Sequence, residues 1–356
     1  MPRPTPRQSI ALMAGYHSPQ IDVDVRLNTN ESPELPPLGF REAVAEAVRG
    51  VEWHRYPDRS ATGLRQAIAT VHGCGPNEVF AANGSNEVLQ TLLLTYGGPG
   101  RAAAVFEPTY ALHSHLSRLS GTTVAQGERA ADFSLDIEEV ARVVEQARPS
   151  VTFLCSPNNP TGVVDTPEQI RTVLELVTET GGLLCVDEAY GQFSPYSAIE
   201  LLGPDVPLVV SRTYSKTFAM AAARLGYLIG PSWVVAELEK VVLPYHLDAM
   251  TQIAGTIALD YLDDMDLRVS RLVEERGRLI SALNDLPVEV APSGANFVLF
   301  RPTATDAGEV WQGLVDRSVL VRNCASWPRL DGCLRVTIGT CEEDNQFLSA
   351  LTEVLA

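Results

Sequence analysis

Leu183-Leu-Cys-Val-Asp-Glu-Ala-Tyr190 and Leu208-Val-Val-Ser-Arg-Thr-Tyr-Ser-Lys-Thr-Phe218 share one design. Each is a short apolar run that ends abruptly in charged and hydroxyl-bearing residues. Val151–Cys155, followed by Ser156-Pro-Asn-Asn-Pro-Thr-Gly162, repeats it, and Ala102–Phe106 and Leu225–Ile229 are further runs of the same length. A strand apolar on both faces must be covered on both, as in a parallel sheet between helices. The clearest intervening helix spans Thr166 to Thr180, with Pro167 in its first turn and Gly181-Gly182 at its stop.

Outward from this core, helical patterns occupy 40–49 and 62–72, and a third follows Asn83-Gly-Ser-Asn86, a glycine loop leading into an apolar helix. Residues 1–9 read as a loose arm and 31–39 as an irregular connector. A long helical region covers about 232–286. Beyond it lie strand candidates Val288–Val290, Ala295–Phe300, Val319–Arg322 and Leu334–Ile338, with helices at 304–316 and from about 342 to the end. The expected fold class is α/β: a three-layer α/β/α large domain with a mostly parallel mixed sheet, at 35–240, plus a smaller α+β domain. The smaller domain combines 1–34 with 241–356.

The 356 residues are 45% hydrophobic and 20% charged, with a formal net charge of −17. That balance lacks the basic footprint nucleic acid requires. No apolar stretch is long enough to span a membrane, and Ile10–Ala14 is too short for a signal-peptide core. The six cysteines form no C-x-x-C pair, so reduced thiols in a cytoplasmic protein are expected.

In such sheets the functional residues gather at the carboxyl ends of the strands. The loops there bring an amide (Asn159), a carboxylate (Asp187), a phenol (Tyr190), an amine (Lys216) and a guanidinium (Arg224) to one rim. Pyridoxal 5'-phosphate makes matching demands. Lys216 offers the amine for a Schiff base with its aldehyde. Asp187 offers a partner for the ring nitrogen, and Asn159 and Tyr190 offer donors to the phenolate oxygen. Gly84, Ser85 and Asn86 offer amides at a helix N-terminus for the phosphate, with Thr213, Ser215 and Arg224 completing the cradle. Lys216, Asp187 and Tyr190 are the catalytic candidates, and no metal is expected.

Pro160-Thr-Gly162, Asp187-Glu-Ala-Tyr190 and Thr213-Tyr-Ser-Lys216, with Arg224 eight residues beyond the lysine, resemble the fold-type-I aminotransferases of class I/II. Leu27-Asn-Thr-Asn-Glu31, Arg55-Tyr-Pro-Asp58, Gly84-Ser-Asn-Glu87, Pro108-Thr-Tyr110 and Leu334-Arg-Val-Thr-Ile-Gly-Thr340 bring the resemblance closest to the histidinol-phosphate aminotransferases. The resemblance covers nearly the whole chain. It implies that Tyr110 stacks on the cofactor ring. It also implies a homodimer, in which Tyr56 reaches the neighbouring subunit's cofactor phosphate. Arg335 would bind the substrate carboxylate, Arg322 and Asn30 would line the same anion pocket, and Tyr16 would close over it. The reaction implied is amino transfer between histidinol phosphate and 2-oxoglutarate, in histidine biosynthesis. An aromatic-amino-acid aminotransferase, a specialised-pathway relative and a lyase such as a threonine-phosphate decarboxylase fit most of the same motifs.

Other residues carry plainer expectations. His113 and His115, at i and i+2 of a helix, do not face one side and do not read as a metal pair. Glu188 reads as a solvent-facing strand end, Asn158 as a turn former, and Trp53 and Trp327 as packing residues.

Overall fold

The computed structural model describes residues 3–11, 15 and 20–356; Tyr16 lies outside the described residues. Its strands, in chain order, are β1 (Val25–Leu27), β2 (Val79–Ala82), β3 (Ala102–Glu107), β4 (Thr123–Glu128), β5 (Val151–Cys155), β6 (Leu183–Asp187), β7 (Leu208–Thr213), β8 (Gly226–Ile229), β9 (Val288–Val290), β10 (Phe297–Pro302), β11 (Val319–Asn323) and β12 (Leu334–Thr337). They form a seven-stranded sheet, ordered β2-β8-β7-β6-β5-β3-β4, and a five-stranded sheet, ordered β1-β11-β12-β10-β9.

In the larger sheet the alternation of side chains serves two cores. Leu183 and Cys185 of β6 pack with Val209 of β7 against the helices Gly84–Tyr96 and Ser232–Leu238. Leu184, Val186, Leu208 and Val210 pack on the opposite face against Ile137–Ala147 and Pro167–Glu179. This is the period-2 geometry of a strand buried on both sides. Thr166 caps the second of these helices by accepting from Gln169 N, while the Gln169 side chain accepts from Thr166 N.

The five apolar runs coincide with strands, Leu225 alone lying just ahead of β8, and the class is the expected mixed α/β one. Three strands carried too little signal: β1 and β2 are only three and four residues long, and β4 is half exposed with a single buried residue, Gly127. The expected helical region at 232–286 is three helices, Ser232–Leu238, Ala249–Ala258 and Leu262–Asn284, because the segment around Pro244 leaves the helical path. Leu247, Ala254 and Ala258 pack into a third cluster with Val79, Ala81 and Ile229 of the larger sheet. The smaller sheet is covered by Leu262–Asn284, Ala307–Val315 and Cys341–Leu355.

Strand direction sets where the loops meet. β3 to β7 are mutually parallel, so the segments after β5, β6 and β7 emerge at one rim. β8 is antiparallel to both β7 and β2. The residues that enter β8 therefore sit at that rim, and so do those that leave β2. Nearby, Arg129 forms a two-pronged buried ion pair with Asp165, at 2.7 and 3.0 Å, tying the end of β4 to the segment after β5. Removing one member strands the other charge. Arg129→Met is expected to cost about 3–5 kcal/mol, read as a lowered urea midpoint, whereas losing the exposed Arg49–Glu46 pair should leave the midpoint unchanged.

Candidate active site

The rim opens into a cavity of about 420 Å³ lying between the two sheets. Asn30, Ser85, Asn86, Tyr110, Asn159, Asp187, Tyr190, Thr213, Ser215, Lys216, Arg224, Arg322 and Arg335 all line it. Two candidates do not. Gly84 sits directly behind the wall, and Tyr56 is 80% exposed, stacked on Tyr245 with ring centroids 4.4 Å apart.

Lys216 follows β7, and its Nζ donates to Thr29 O at 3.1 Å. Burial, and then the positive charges of Arg335 and Arg224, bring its amine down from the ordinary lysine value to about 7, with Glu31 opposing. The amine is thus largely uncharged just above neutral pH, as a nucleophile or base must be. Asp187, at the last position of β6, is buried. One of its carboxylate oxygens accepts from Ala189 N at 3.1 Å and the other meets His113 Nε2, also at 3.1 Å.

The phosphate-type end of the cavity is built from backbone. The helix Gly84–Tyr96 starts at Asn83, whose side chain does not cap it, so the amides of its first turn face the rim. Gly84 takes φ +75°, and a Cβ there would lie 2.8 Å from Arg224 Nη2. Gly226 has no room for a Cβ either, because Gly84 C and Ser85 N fill that space. Arg224 Nη1 reaches Ser215 Oγ at 3.4 Å, and Ser215 N donates to Thr213 Oγ1 at 3.1 Å. Uncapped amides, two hydroxyls and a guanidinium fit a phosphate. With Asp187 and Lys216 on the same wall, the donor set fits pyridoxal 5'-phosphate.

The opposite wall belongs to the smaller sheet. Arg322 and Arg335 are register partners across β11 and β12. Arg335 Nη1 donates to Asn159 Oδ1 at 2.5 Å and Nη2 to Asn28 O at 3.0 Å. Asn30 Nδ2 donates to the Tyr190 hydroxyl at 2.9 Å, and Asn30 in turn accepts from Thr337 Oγ1 at 3.1 Å. Burial raises the Tyr190 phenol above its ordinary value, so it stays protonated, and its own hydrogen is free to point into the cavity. Asn30 therefore orients Tyr190 as well as lining the pocket.

The plainer expectations fare unevenly, and Trp53, expected to pack, is 69% exposed. Glu188 is not a solvent-facing end: it is buried, accepting from Arg212, Ser197 and Ala198 N. Trp327 packs, as expected, against the cluster of Leu299, Cys324, Leu330 and Cys333, and it also lines the cavity. His113, set aside as a metal ligand, braces Asp187 and stacks on Phe153 at 4.7 Å. Its place three residues after Tyr110, on the same helical side, was the signal that could have found it. Asn158 does behave as a structural residue, donating to Pro108 O and Thr161 Oγ1.

Residues 22–351 match the family described as aminotransferase class I and II. The histidinol-phosphate aminotransferase of Mycolicibacterium smegmatis is 44% identical over 358 residues, which cover 98% of this chain and 93% of that protein. Its counterpart from Frankia casuarinae is 43% identical over 361 residues, covering 98% and 90%. Among solved structures, the histidinol-phosphate aminotransferase from Sinorhizobium meliloti in complex with pyridoxal-5'-phosphate aligns with a TM-score of 0.89 at 22% identity, covering 98% of this chain and 97% of that one. That structural likeness speaks for the fold.

The depressed Lys216 value makes a direct prediction. The rate at which cofactor-free protein captures pyridoxal 5'-phosphate should rise with pH through about 7 and level off above about 8. Stopped-flow absorbance reads this; a rate still climbing near pH 10 would mark an ordinary lysine.

Proposed function

This chain belongs to the class I and II aminotransferases, and from that premise we propose that it transfers an amino group between histidinol phosphate and 2-oxoglutarate. The observation that carries the substrate is the pair Arg322 and Arg335, adjacent on one sheet face and lining the cavity that holds Lys216. Two neighbouring guanidiniums suit a dianionic phosphate monoester, and either fork also accepts a carboxylate. Relatives 43 and 44% identical that carry this activity in their names support the same choice.

When bound, pyridoxal 5'-phosphate would supply an electron sink for the pair left when a substrate Cα–H bond breaks. Lys216 would hold it covalently through Nζ. Asp187, braced by His113, would keep a proton on the ring nitrogen, and Asn159 and Tyr190 would donate to the ring oxygen. The amides of Ser85 and Asn86, given room by Gly84, would bind the phosphate together with Thr213, Ser215 and Arg224. Tyr110, which donates to Asn86 Oδ1 at 3.2 Å, would lie against the ring. Displaced from its covalent bond by the donor's own amine, Lys216 would take the proton from substrate Cα through its freed Nζ. Arg335 and Arg322 would seat the donor's phosphate and then the acceptor's carboxylate, with Asn30 steadying Tyr190 beside them and Tyr16 closing over the pocket.

A homodimer belongs to the same reading. Tyr56, exposed and stacked on Tyr245 beside the exposed Leu243, would reach the partner's cofactor phosphate. So do a cytoplasmic location, a place in histidine biosynthesis, and the division into 35–240 and 1–34 plus 241–356, whose seam carries the helix Ala249–Ala258 packed on the larger sheet.

Single-turnover absorbance of the holoenzyme with histidinol phosphate, phenylalanine and threonine phosphate tests this reading. Fast conversion to the pyridoxamine form with histidinol phosphate is expected. Preference for phenylalanine would reassign the donor, and carbon dioxide release from threonine phosphate would overturn the reaction class.

A further inference from the structure

Arg322 and Arg335 leave the same face of the smaller sheet as directly opposed residues of an antiparallel pair, where like charges repel. Arg335 directs its hydrogen bonds to neutral acceptors, Asn159 Oδ1 and Asn28 O, neither of which cancels its charge. The ring of Trp327 lies 5.6 Å from the Arg322 guanidinium carbon and 5.9 Å from that of Arg335. Both distances are within the range at which an aromatic face attracts a cation. One indole thus serves both guanidiniums while forming part of the cavity wall, and the Phe297 ring gives Arg335 a second aromatic face at 5.0 Å.

The loop that carries Trp327 is tied down at several points. Cys324 N donates to Cys333 O at 3.0 Å, closing the connection between β11 and β12. Trp327 N donates to Cys324 O at 3.0 Å, and Leu330 N donates to Trp327 O at 3.2 Å. Leu330, Cys324 and Cys333 pack with Leu299 in a small apolar cluster of their own. From the same loop Arg329, at φ +63°, reaches across to the carbonyls of Arg129 and Ala130, just beyond β4 of the larger sheet. The loop that carries the indole is therefore held from both sheets, and the indole itself packs on that cluster.

We infer that Trp327 is a positioning residue that sets the anion affinity of this pocket, its π-face holding Arg322 and Arg335 toward the cavity without neutralising them. A carboxylate in its place would hold the arginines equally well but would pair with them, reducing the positive charge offered to a ligand. The aromatic face does the first without the second. A dianionic phosphate, which needs both guanidiniums, depends on this arrangement more than a monocarboxylate does, since one fork satisfies the latter. The inference rests on the proposed function for the identity of the substrate, but not for the existence of the anion site.

The test compares Trp327→Phe, which keeps a π-face, with Trp327→Leu, which keeps only apolar bulk. Inorganic phosphate is titrated calorimetrically into each holoenzyme, in which the cofactor's own phosphate site is already filled. The phosphate Kd is expected to rise about tenfold in Trp327→Leu and by less than about threefold in Trp327→Phe. The KM for histidinol phosphate should follow, with kcat held within about twofold and the KM for phenylalanine moving less. Phosphate binding in Trp327→Leu as tight as in wild type overturns the inference, and so does equal weakening in the two variants, which would mark packing rather than the π-face. If wild type does not turn over histidinol phosphate, yet Trp327→Leu loses phosphate affinity that Trp327→Phe keeps, the proposed donor falls while the role of Trp327 stands.

Discussion

Strand β8 runs against both its neighbours, and Gly226, its first residue, lies beside Ala82 of β2 on one side and Thr213 of β7 on the other. This reversal folds the chain back on the rim it has just left, so that Arg224 arrives beside Ser215. It also brings the end of β2 to the same place, where the backbone of Gly84 and Ser85 fills the space a side chain at Gly226 would need and the Arg224 guanidinium closes on Gly84. Segments more than a hundred residues apart are thereby fitted to one another through backbone contact. That is tighter than side-chain packing can be, and it leaves the first amides of a helix aimed at a single point.

Charge follows from this geometry. The chain is strongly acidic, with a formal charge of −17, yet the cavity collects Arg224, Arg322, Arg335 and Lys216. Burial and the neighbouring guanidiniums together favour the neutral amine of Lys216. The one carboxylate deep in the same wall, Asp187, is held by His113 and a backbone amide rather than by these arginines. Keeping Asp187 away from the guanidiniums leaves both signs available, the carboxylate for a ring nitrogen and the guanidiniums for anions. The smaller sheet supplies its share from residues far away in sequence, with Asn30, Thr337 and Tyr190 joined in one hydrogen-bonded chain.

The sequence by itself determined the sheet and the amine. Short runs apolar at every position, such as Leu183–Val186 and Leu208–Val210, alternating with helical stretches, mark strands covered on both sides, and the polar loops that end them carry Asp187, Tyr190 and Lys216. Such local signals also marked the helix that begins at Gly84 and the one capped by Thr166. Strands that are short or exposed, β1, β2 and β4, left no such pattern, whereas the break at Pro244 was signalled by the proline itself and was passed over. Glu188 was misread, and the bracing role of His113 went unseen, for one reason: what a charged or polar side chain does depends on its partner, and those partners, Arg212 and Asp187, are 24 and 74 residues away. Trp327 is the same case, since an indole between two guanidiniums and an indole in a core are the same letter in the chain. What only the tertiary structure decided is which charges face each other and which face the cavity, because those distances depend on register between strands that no local pattern records.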